Sequence, residues 1–179
     1  VQHVIQLGHE IGYRPSGDVL YYDNDEQQDP RKITSSTQQQ RRRRTSSTAW
    51  CPHSNISQNI IQRIVQLTQI PLSHAEDIQL LRYETGQYYQ LHSDFIPNSP
   101  NKRILTLLLY LSNVEEGGAT QFSSGLTIAP QRGRLLLWPN VDNHSSHEKD
   151  VHTRHQALPV TKGIKYAANV WFHQQKYNR

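Results

Sequence analysis

Two residues of the segment YETGQYYQLHSDF, His92 and Asp94, are of types that bind metal ions and stand two positions apart. In a β-strand, side chains two positions apart point to the same face. A neutral imidazole and a carboxylate on one face can supply two of the three protein ligands of a non-heme Fe(II) centre. Most such pairs are polar surface residues, so this pair becomes a candidate site only if a third ligand is found elsewhere.

Five histidines further along the chain are candidates for that third ligand: His144, His147, His152, His155 and His173. We interpret His144 and His147, in a polar segment, and His173, near the end, as solvated side chains. His155 differs because it precedes a β-favouring run that contains Lys165. A buried lysine is rare unless it is paired, so an inward Lys165 would need an anion such as a bound dicarboxylate. A solvent-facing Lys165 on an edge strand is the alternative.

The elements that would position these residues are short strands that follow two helices. Residues 1–12 have helical spacing and stop at Gly12, and a second helix is predicted from a cap at Ser54 or Asn55 up to Pro71. Strands are predicted at 19–22, 78–83, 104–111, 126–129, 134–138 and 164–172. This order predicts a mainly β fold with flanking helices (α+β), in which two antiparallel sheets form a jelly roll.

Composition and length limit the class of protein. The chain has 179 residues, which predicts a single domain, 1–179, with a polar low-complexity insertion at about 23–48. The net charge is +4, and we interpret the arginine block at 41–44 as a solvated loop. Binding of nucleic acid is not expected, because no aromatic residues are interleaved with these arginines. No apolar run approaches the roughly 20 residues that span a bilayer, so no membrane segment is expected. The chain begins with Val1 and contains no methionine, so we expect a processed or partial chain.

Four segments of the chain share their order and spacing with a known family. They are Arg82-Tyr83-Glu84-x-Gly86-Gln87-x-Tyr89-x-x-His92-x-Asp94, Arg103-Ile104-Leu105-Thr106-x-Leu108-x-Tyr110-Leu111, Val114-Glu115-Glu116-Gly117-Gly118-Ala119-Thr120-x-Phe122 and His155-x-x-x-Pro159-Val160-x-x-Gly163-x-Lys165. Over about residues 76–172 they resemble the catalytic domain of the prolyl 4-hydroxylases, which are Fe(II)- and 2-oxoglutarate-dependent dioxygenases. Arg44-Thr45-Ser46 resembles a further family element upstream.

The resemblance implies a distorted double-stranded β-helix and a set of site residues. It assigns iron binding to His92, Asp94 and His155. It assigns the distal carboxylate of 2-oxoglutarate to Lys165, with help from Tyr83 and Thr106. Positions near the peptide groove correspond to Tyr89, Arg103 and Arg44.

The activity that the resemblance implies is hydroxylation of peptidyl proline at C4, with O₂ as oxidant, release of succinate and CO₂, and ascorbate as a supporting reductant. The implied partner is a proline-containing peptide or protein. The endoplasmic reticulum and the secretory pathway are compartments of the family, but this sequence fixes neither compartment nor oligomeric state. Two alternatives stay open: the same chemistry on another residue or a small molecule, and a non-catalytic jelly-roll binding module that uses the arginine block.

The sequence departs from the family pattern without losing a ligand. Between the distal histidine and the proline, the family usually has a small residue and a cysteine, where this chain has Gln156, Ala157 and Leu158. Tyr166 follows the lysine where tryptophan is usual, and Ala119 replaces a common acidic residue. These positions leave the choice of substrate open.

Overall fold

The computed structural model describes residues 1–17, 43–56, 58–142 and 145–178. Two helices lie in this part of the chain, α1 at Gln2–Ile11 and α2 at Gln58–Thr68. The strands, numbered in chain order from β1 to β14, are Arg14–Pro15, Ser47–Cys51, Ile78–Tyr83, Tyr89–His92, Arg103–Tyr110, Glu116–Gly117, Thr120–Phe122, Thr127–Ile128, Leu135–Pro139, Val141–Asp142, Ser145–Lys149, His155–Ala157, Val160–Lys162 and Lys165–His173. The prediction of a mainly β fold with flanking helices is confirmed.

The strands form a large sheet and a smaller one, and all of the strand pairs described are antiparallel. The large sheet has six strands in the order β1-β2-β3-β14-β5-β9, and the smaller has four in the order β4-β12-β7-β8. Two short ribbons, β10-β11 and β13-β6, complete the described strands. Because β14 lies between β3 and β5, the last strand of the chain occupies the middle of the large sheet.

Alternation along β14 explains the layers of the fold. Residues on one face of the strand, Ala168, Val170 and Phe172, pack in an outer core with residues of both helices. On the other face, Ala167 packs in an inner core that also holds side chains of the smaller sheet. Lys165, Asn169 and Trp171 share that inner face and line a cleft between the sheets. The helices therefore cover the back of the large sheet, and the smaller sheet covers its front.

The two helices match their predictions, with one boundary corrected. Helix α1 stops at Gly12, whose φ of 90° ends the helix as predicted. The prediction that Ser54 or Asn55 caps α2 is wrong, because both residues belong to a separate 3₁₀ turn. Ile56 then takes an extended conformation and is buried in the outer core, so the chain leaves the helical path before α2 begins at Gln58.

The polar insertion predicted at about 23–48 ends earlier than expected. Strand β2 already begins at Ser47, and Arg44 pairs with Tyr89 in an isolated bridge. The interpretation of 41–44 as a solvated loop is wrong for Arg44, which is only 7% exposed. The strand predicted at 19–22 and the rest of the insertion up to residue 42 lie outside the described residues. Neither helix in the described part of the chain is long and apolar enough to cross a membrane.

Candidate active site

His92, Asp94 and His155 come together at one end of the smaller sheet. His92 is the last residue of β4, His155 is the first residue of β12, and the two stand directly opposite each other in the strand pairing. Asp94 lies in the bend that follows β4 rather than in the strand itself. Their candidate ligand atoms all lie within 4.8 Å of one another. The convergence expected for His92 and Asp94 is present, but the bend, and not strand alternation alone, produces it.

Backbone carbonyls fix the orientation of both imidazoles. Nδ1 of His92 lies 2.8 Å from the carbonyl oxygen of Gln90, and Nδ1 of His155 lies 3.0 Å from that of Thr153. A carbonyl only accepts hydrogen bonds, so Nδ1 carries the proton in both rings, and the neutral form of each ring presents its lone pair at Nε2. Burial, followed by the neighbouring His155, lowers the pKa of His92 to about 3. The imidazole of His92 is therefore neutral at physiological pH.

Asp94 lies between these rings, and two neutral residues, Thr106 and Asn140, form a hydrogen-bond chain behind its carboxylate. Burial raises the pKa of Asp94, but His155, His92 and Arg103 together lower it by more, so the net shift is downward. The hydroxyl of Thr106 donates to Oδ2 of Asp94 at 2.8 Å. Nδ2 of Asn140 donates in turn to Oγ1 of Thr106, also at 2.8 Å. Because Asn140 occupies the acceptor side of Thr106, the hydroxyl proton is directed to Asp94.

The donor set fits a divalent metal ion. Nε2 of His92 is 3.8 Å from Oδ1 of Asp94, and Nε2 of His155 is 3.7 Å from Oδ2. These distances are too long for hydrogen bonds. They suit donors that share one ion through bonds of about 2.0–2.2 Å. Two neutral imidazoles and one carboxylate form the facial set that non-heme Fe(II) oxygenases use, with open positions for other ligands.

Lys165 lies in the same cleft, enclosed by aromatic rings. It is 2% exposed, and its ammonium donates to the carbonyl oxygen of Gly118 at 2.7 Å. Its Nζ lies 5.2 Å from the ring centre of Tyr83 and 5.3 Å from that of Tyr110. Burial lowers the pKa of Lys165 to about 7. Lys165 therefore faces inward, and the solvent-facing alternative is excluded.

The aromatic wall around the histidines continues to Arg44. Tyr89 stacks on His92 with ring centres 3.6 Å apart, and the guanidinium carbon of Arg44 lies 4.8 Å from the Tyr89 ring centre. On the other side, Trp138 meets His155 edge to face, with ring centres 4.8 Å apart. The two imidazoles are thus packed between the rings of Tyr89 and Trp138.

The cleft has a volume of about 660 Å³ and joins these groups. Of the nine residues singled out from the sequence, eight line it: Arg44, Tyr83, Tyr89, His92, Asp94, Arg103, His155 and Lys165. The ninth, Thr106, lies behind Asp94, where its hydroxyl is engaged with that carboxylate.

A family comparison agrees with this arrangement. Residues 78–173 match the family model described as the 2OG-Fe(II) oxygenase superfamily. That span covers more than half of the chain and contains His92, Asp94, His155 and Lys165. The chain belongs to the 2OG-Fe(II) oxygenase superfamily.

Proteins similar to this chain are named prolyl 4-hydroxylases. The prolyl 4-hydroxylase subunit alpha-2 of Gallus gallus is 35% identical over 140 residues, which cover 73% of this chain and 26% of that protein. The probable prolyl 4-hydroxylase 8 of Arabidopsis thaliana is 34% identical over 152 residues, which cover 70% of this chain and 51% of that protein. The oxygenase chain therefore spans between a quarter and about half of these two relatives.

A solved structure confirms the fold of the oxygenase. The viral collagen prolyl hydroxylase vCPH from Paramecium Bursaria Chlorella virus-1, in a 2OG complex, is 29% identical with a TM-score of 0.63. The match covers 73% of this chain and 79% of that one. Prolyl hydroxylases have a double-stranded β-helix fold, so the predicted architecture is confirmed.

Sequence reasoning missed a buried ionic cluster next to the oxygenase site. Glu76 is 5% exposed and pairs with Arg103, whose second nitrogen donates to Oε2 at 2.9 Å, and with Nε2 of His173 at 2.8 Å. The interpretation of His173 as solvated is wrong, since it is 3% exposed. The Arg103 guanidinium carbon lies 3.9 Å from the ring centre of Trp171, which lines the cleft. The register of β14 shifts between Phe172 and His173, so alternation along the strand does not predict where His173 lies.

Thr120 was missed as well. Its Oγ1 accepts a hydrogen bond from the hydroxyl of Tyr110 at 2.7 Å, and Thr120 lines the cleft near Lys165. Both residues lie inside the segments that resemble the family, but spacing alone does not distinguish a cleft residue from a core residue.

Proposed function

We propose that this chain is a catalytic domain that hydroxylates peptidyl proline at C4 with Fe(II), 2-oxoglutarate and O₂. The observation that carries the proposal is the joining of the His92–Asp94–His155 cluster and the buried Lys165 in one cleft. Membership of the superfamily supports the iron and the cosubstrate, and the names of the relatives support proline as the target. A proline-containing peptide or protein is the proposed partner.

The protein's part in the reaction is to hold and orient. His92, Asp94 and His155 would bind the iron on one face through two neutral nitrogens and one carboxylate oxygen. Lys165 would pair with the distal carboxylate of 2-oxoglutarate, inside the pocket formed by Tyr83 and Tyr110. When bound, the iron lets O₂ oxidise 2-oxoglutarate to succinate and CO₂, placing one oxygen atom in succinate and the other in the substrate C–H bond.

Further residues of the cleft have narrower proposed roles. Thr106 and Asn140 would fix the rotation of the Asp94 carboxylate, which replaces the expected role of Thr106 at the cosubstrate. Tyr89 and Arg103 would contact the peptide, since both line the cleft. Ascorbate remains an expectation from the family and has no motif in this chain.

Mass spectrometry of proline-rich peptides tests the reaction directly. We expect a mass gain of one oxygen atom on proline that requires both Fe(II) and 2-oxoglutarate. Loss of the reaction in His155→Ala and retention in His152→Ala would support the site, because His152 is an exposed histidine three residues earlier. Equal activity in the two variants would refute it.

Anaerobic spectroscopy tests the metal assignment without turnover. Addition of Fe(II) and 2-oxoglutarate should give a weak metal-to-ligand charge-transfer band. The band should disappear in His92→Ala and persist in His152→Ala. A band that survives in His92→Ala would show that the iron is bound elsewhere.

A second candidate keeps the chemistry and changes the substrate to another residue or a small molecule. Two positions favour it: Gln156 and Ala157 line the cleft where the sequence departs from the family pattern. Succinate release in the presence of proline-free peptides or small acids, but not of proline peptides, would favour this candidate.

A further inference from the structure

The cleft carries a strong excess of positive charge. Among the described residues that line it, five are cationic and one is acidic: Arg14, Arg43, Arg44, Arg103 and Lys165 against Asp94. A cleft lined by one sign of charge concentrates ligands of the opposite sign and speeds their association. The question is which of these charges the proposed reaction already uses.

Two of the five cations are accounted for. Arg103 is paired with the buried Glu76, so its charge is compensated within the protein. Lys165 lies in the pocket proposed for the distal carboxylate of 2-oxoglutarate. Asp94 belongs to the candidate metal cluster, where a divalent ion would neutralise its carboxylate charge. The three remaining arginines are not needed for metal or cosubstrate.

Arg44 is the most enclosed of the three. It is 7% exposed, and its hydrogen bonds to the described residues go to neutral acceptors, from Nε to Ser46 Oγ at 2.8 Å and from Nη2 to Gln79 Oε1 at 3.1 Å. Gln79 is itself held by the side-chain amide of Asn169 at 3.3 Å. In the described part of the chain, Arg44 forms no ion pair, and a buried charge without a counter-ion is costly. The guanidinium is therefore held beside the cleft by neutral partners, and none of the described residues supplies it with an anion.

Arg14 and Arg43 extend the same charge to the rim. Arg14 is exposed on β1, and Arg43 donates through Nη2 to the carbonyl oxygen of Leu91 at 3.1 Å. Within the described residues, neither arginine forms an ion pair with an acidic side chain. Trp50, 45% exposed on β2, adds an aromatic surface to the lining of the cleft. Residues outside the span 78–173 that matches the family model include all three arginines and the tryptophan: Arg14, Arg43, Arg44 and Trp50.

We propose that this cleft selects proline-containing segments that carry acidic side chains beside the target proline. This inference rests on the proposed function, since it names the class of peptide that the same site accepts. The acidic groups would pair with Arg44 inside the cleft and with Arg14 and Arg43 at its rim, while the target proline reaches the candidate metal cluster. A peptide with lysine in place of these acidic residues would be repelled by the positive charges of Arg14, Arg43 and Arg44.

Peptide binding tests this selectivity independently of turnover. We would use fluorescent peptides with one central proline whose flanking positions all carry aspartate, all asparagine or all lysine. Their binding is measured by anisotropy to anaerobic protein loaded with Fe(II) and 2-oxoglutarate. The aspartate peptide should bind at least several-fold more tightly than its asparagine isostere, and the lysine peptide most weakly. The preference should shrink as sodium chloride is raised, because exposed charges are screened.

Single-charge variants locate the effect. Arg14→Gln and Arg43→Gln should each weaken aspartate-peptide binding by about two- to five-fold, as for exposed ion pairs, and leave asparagine-peptide binding unchanged. Arg132→Gln removes the same charge from an exposed position outside the cleft and is the matched control. Equal binding of the aspartate and asparagine peptides, or equal effects of Arg14→Gln and Arg132→Gln, would overturn the inference.

Admission of O₂ separates this inference from the proposed reaction. If the bound aspartate peptide gains an oxygen atom on proline, both proposals stand. If the binding preference holds but no oxygen is gained on any peptide, the reaction is wrong and the acidic selectivity of the cleft stands. If neutral peptides bind and react as well as acidic ones, the reaction stands and the selectivity is wrong.

Discussion

Burial of Lys165 predicts that 2-oxoglutarate binding takes up a proton. The ammonium is 2% exposed and burial lowers its pKa to about 7, so the free protein holds this side chain largely neutral above that pH. A dicarboxylate needs the charged form, and its negative charge raises the pKa of the lysine again on binding. With a free pKa near 7, uptake should rise from about 0.1 proton per ligand at pH 6 to about 0.9 at pH 8.

Isothermal titration calorimetry measures this uptake directly. Protein loaded with metal under anaerobic conditions is titrated with 2-oxoglutarate at one pH in buffers of different ionisation enthalpy. The slope of apparent enthalpy against buffer ionisation enthalpy is the number of protons taken up. Prior metal loading would keep His92 and His155, the proposed metal ligands, deprotonated, so they would contribute nothing to the slope. The affinity should be flat below pH 7 and fall by about tenfold per pH unit well above it.

Lys165→Arg is the control, because a guanidinium stays protonated in proteins. We expect this variant to bind 2-oxoglutarate without proton uptake and with little pH dependence between pH 6 and pH 9. Uptake near zero at pH 8 in the unchanged chain would refute the reasoning about Lys165. Equal uptake in Lys165→Arg would do so too, since the proton would then go to another group.

Three further perturbations address the metal cluster, the ionic cluster and the core. Thr106→Val removes the hydroxyl that donates to Asp94 and should weaken metal binding by about 10–100-fold, measured by competition with a chromophoric chelator, while Thr106→Ser should retain it. Burial raises the pKa of Glu76, but hydrogen bonds from His173 and Arg103 together lower it by more, so the net shift is downward. The stability contributed by Glu76 is therefore present above its unfolded pKa and lost as the pH falls through its folded pKa. Glu76→Gln should lower the free energy of unfolding by about 3–5 kcal/mol at neutral pH and remove this acid dependence in urea titrations. Leu80→Ala, at a fully buried outer-core position, should cost about 2–5 kcal/mol in the same titrations without changing the metal affinity of the folded protein.

Local sequence patterns were sufficient to predict the strand that carries Lys165 and to select His92, Asp94 and His155 as candidate site residues. The run around Lys165 has the length and composition of a buried strand. Of the two predicted alternatives for this lysine, inward or solvent-facing, the structure shows the inward one. His92, Asp94 and His155 were singled out by residue type and by resemblance, and the structure brings them together. Their role as metal ligands stays a proposal.

Contacts that depend on register across the sheet could not be predicted. Thr106 reaches Asp94 only because β5 runs behind the bend after β4, which no local pattern encodes. Glu76 and His173 are almost a hundred residues apart, and each looks like a solvated polar residue on its own. Arg44 looks like part of a charged loop until the pairing with Tyr89 buries it. In each case a polar side chain is buried because a distant segment satisfies it, and this information is absent from the neighbouring residues.

The opposed positions of His92 and His155 tie the metal site to the closure of the sheet. These residues face each other across β4 and β12, and β12 is held on its other side by β7. The two donors therefore come together only when β4 and β12 pair, which is a contact of high sequence separation. A metal ion that binds these donors would stabilise the folded state after the strands have paired. It would therefore slow unfolding and leave the rate of folding unchanged. The loops between the two histidines can then vary in length without altering the distance between the donors.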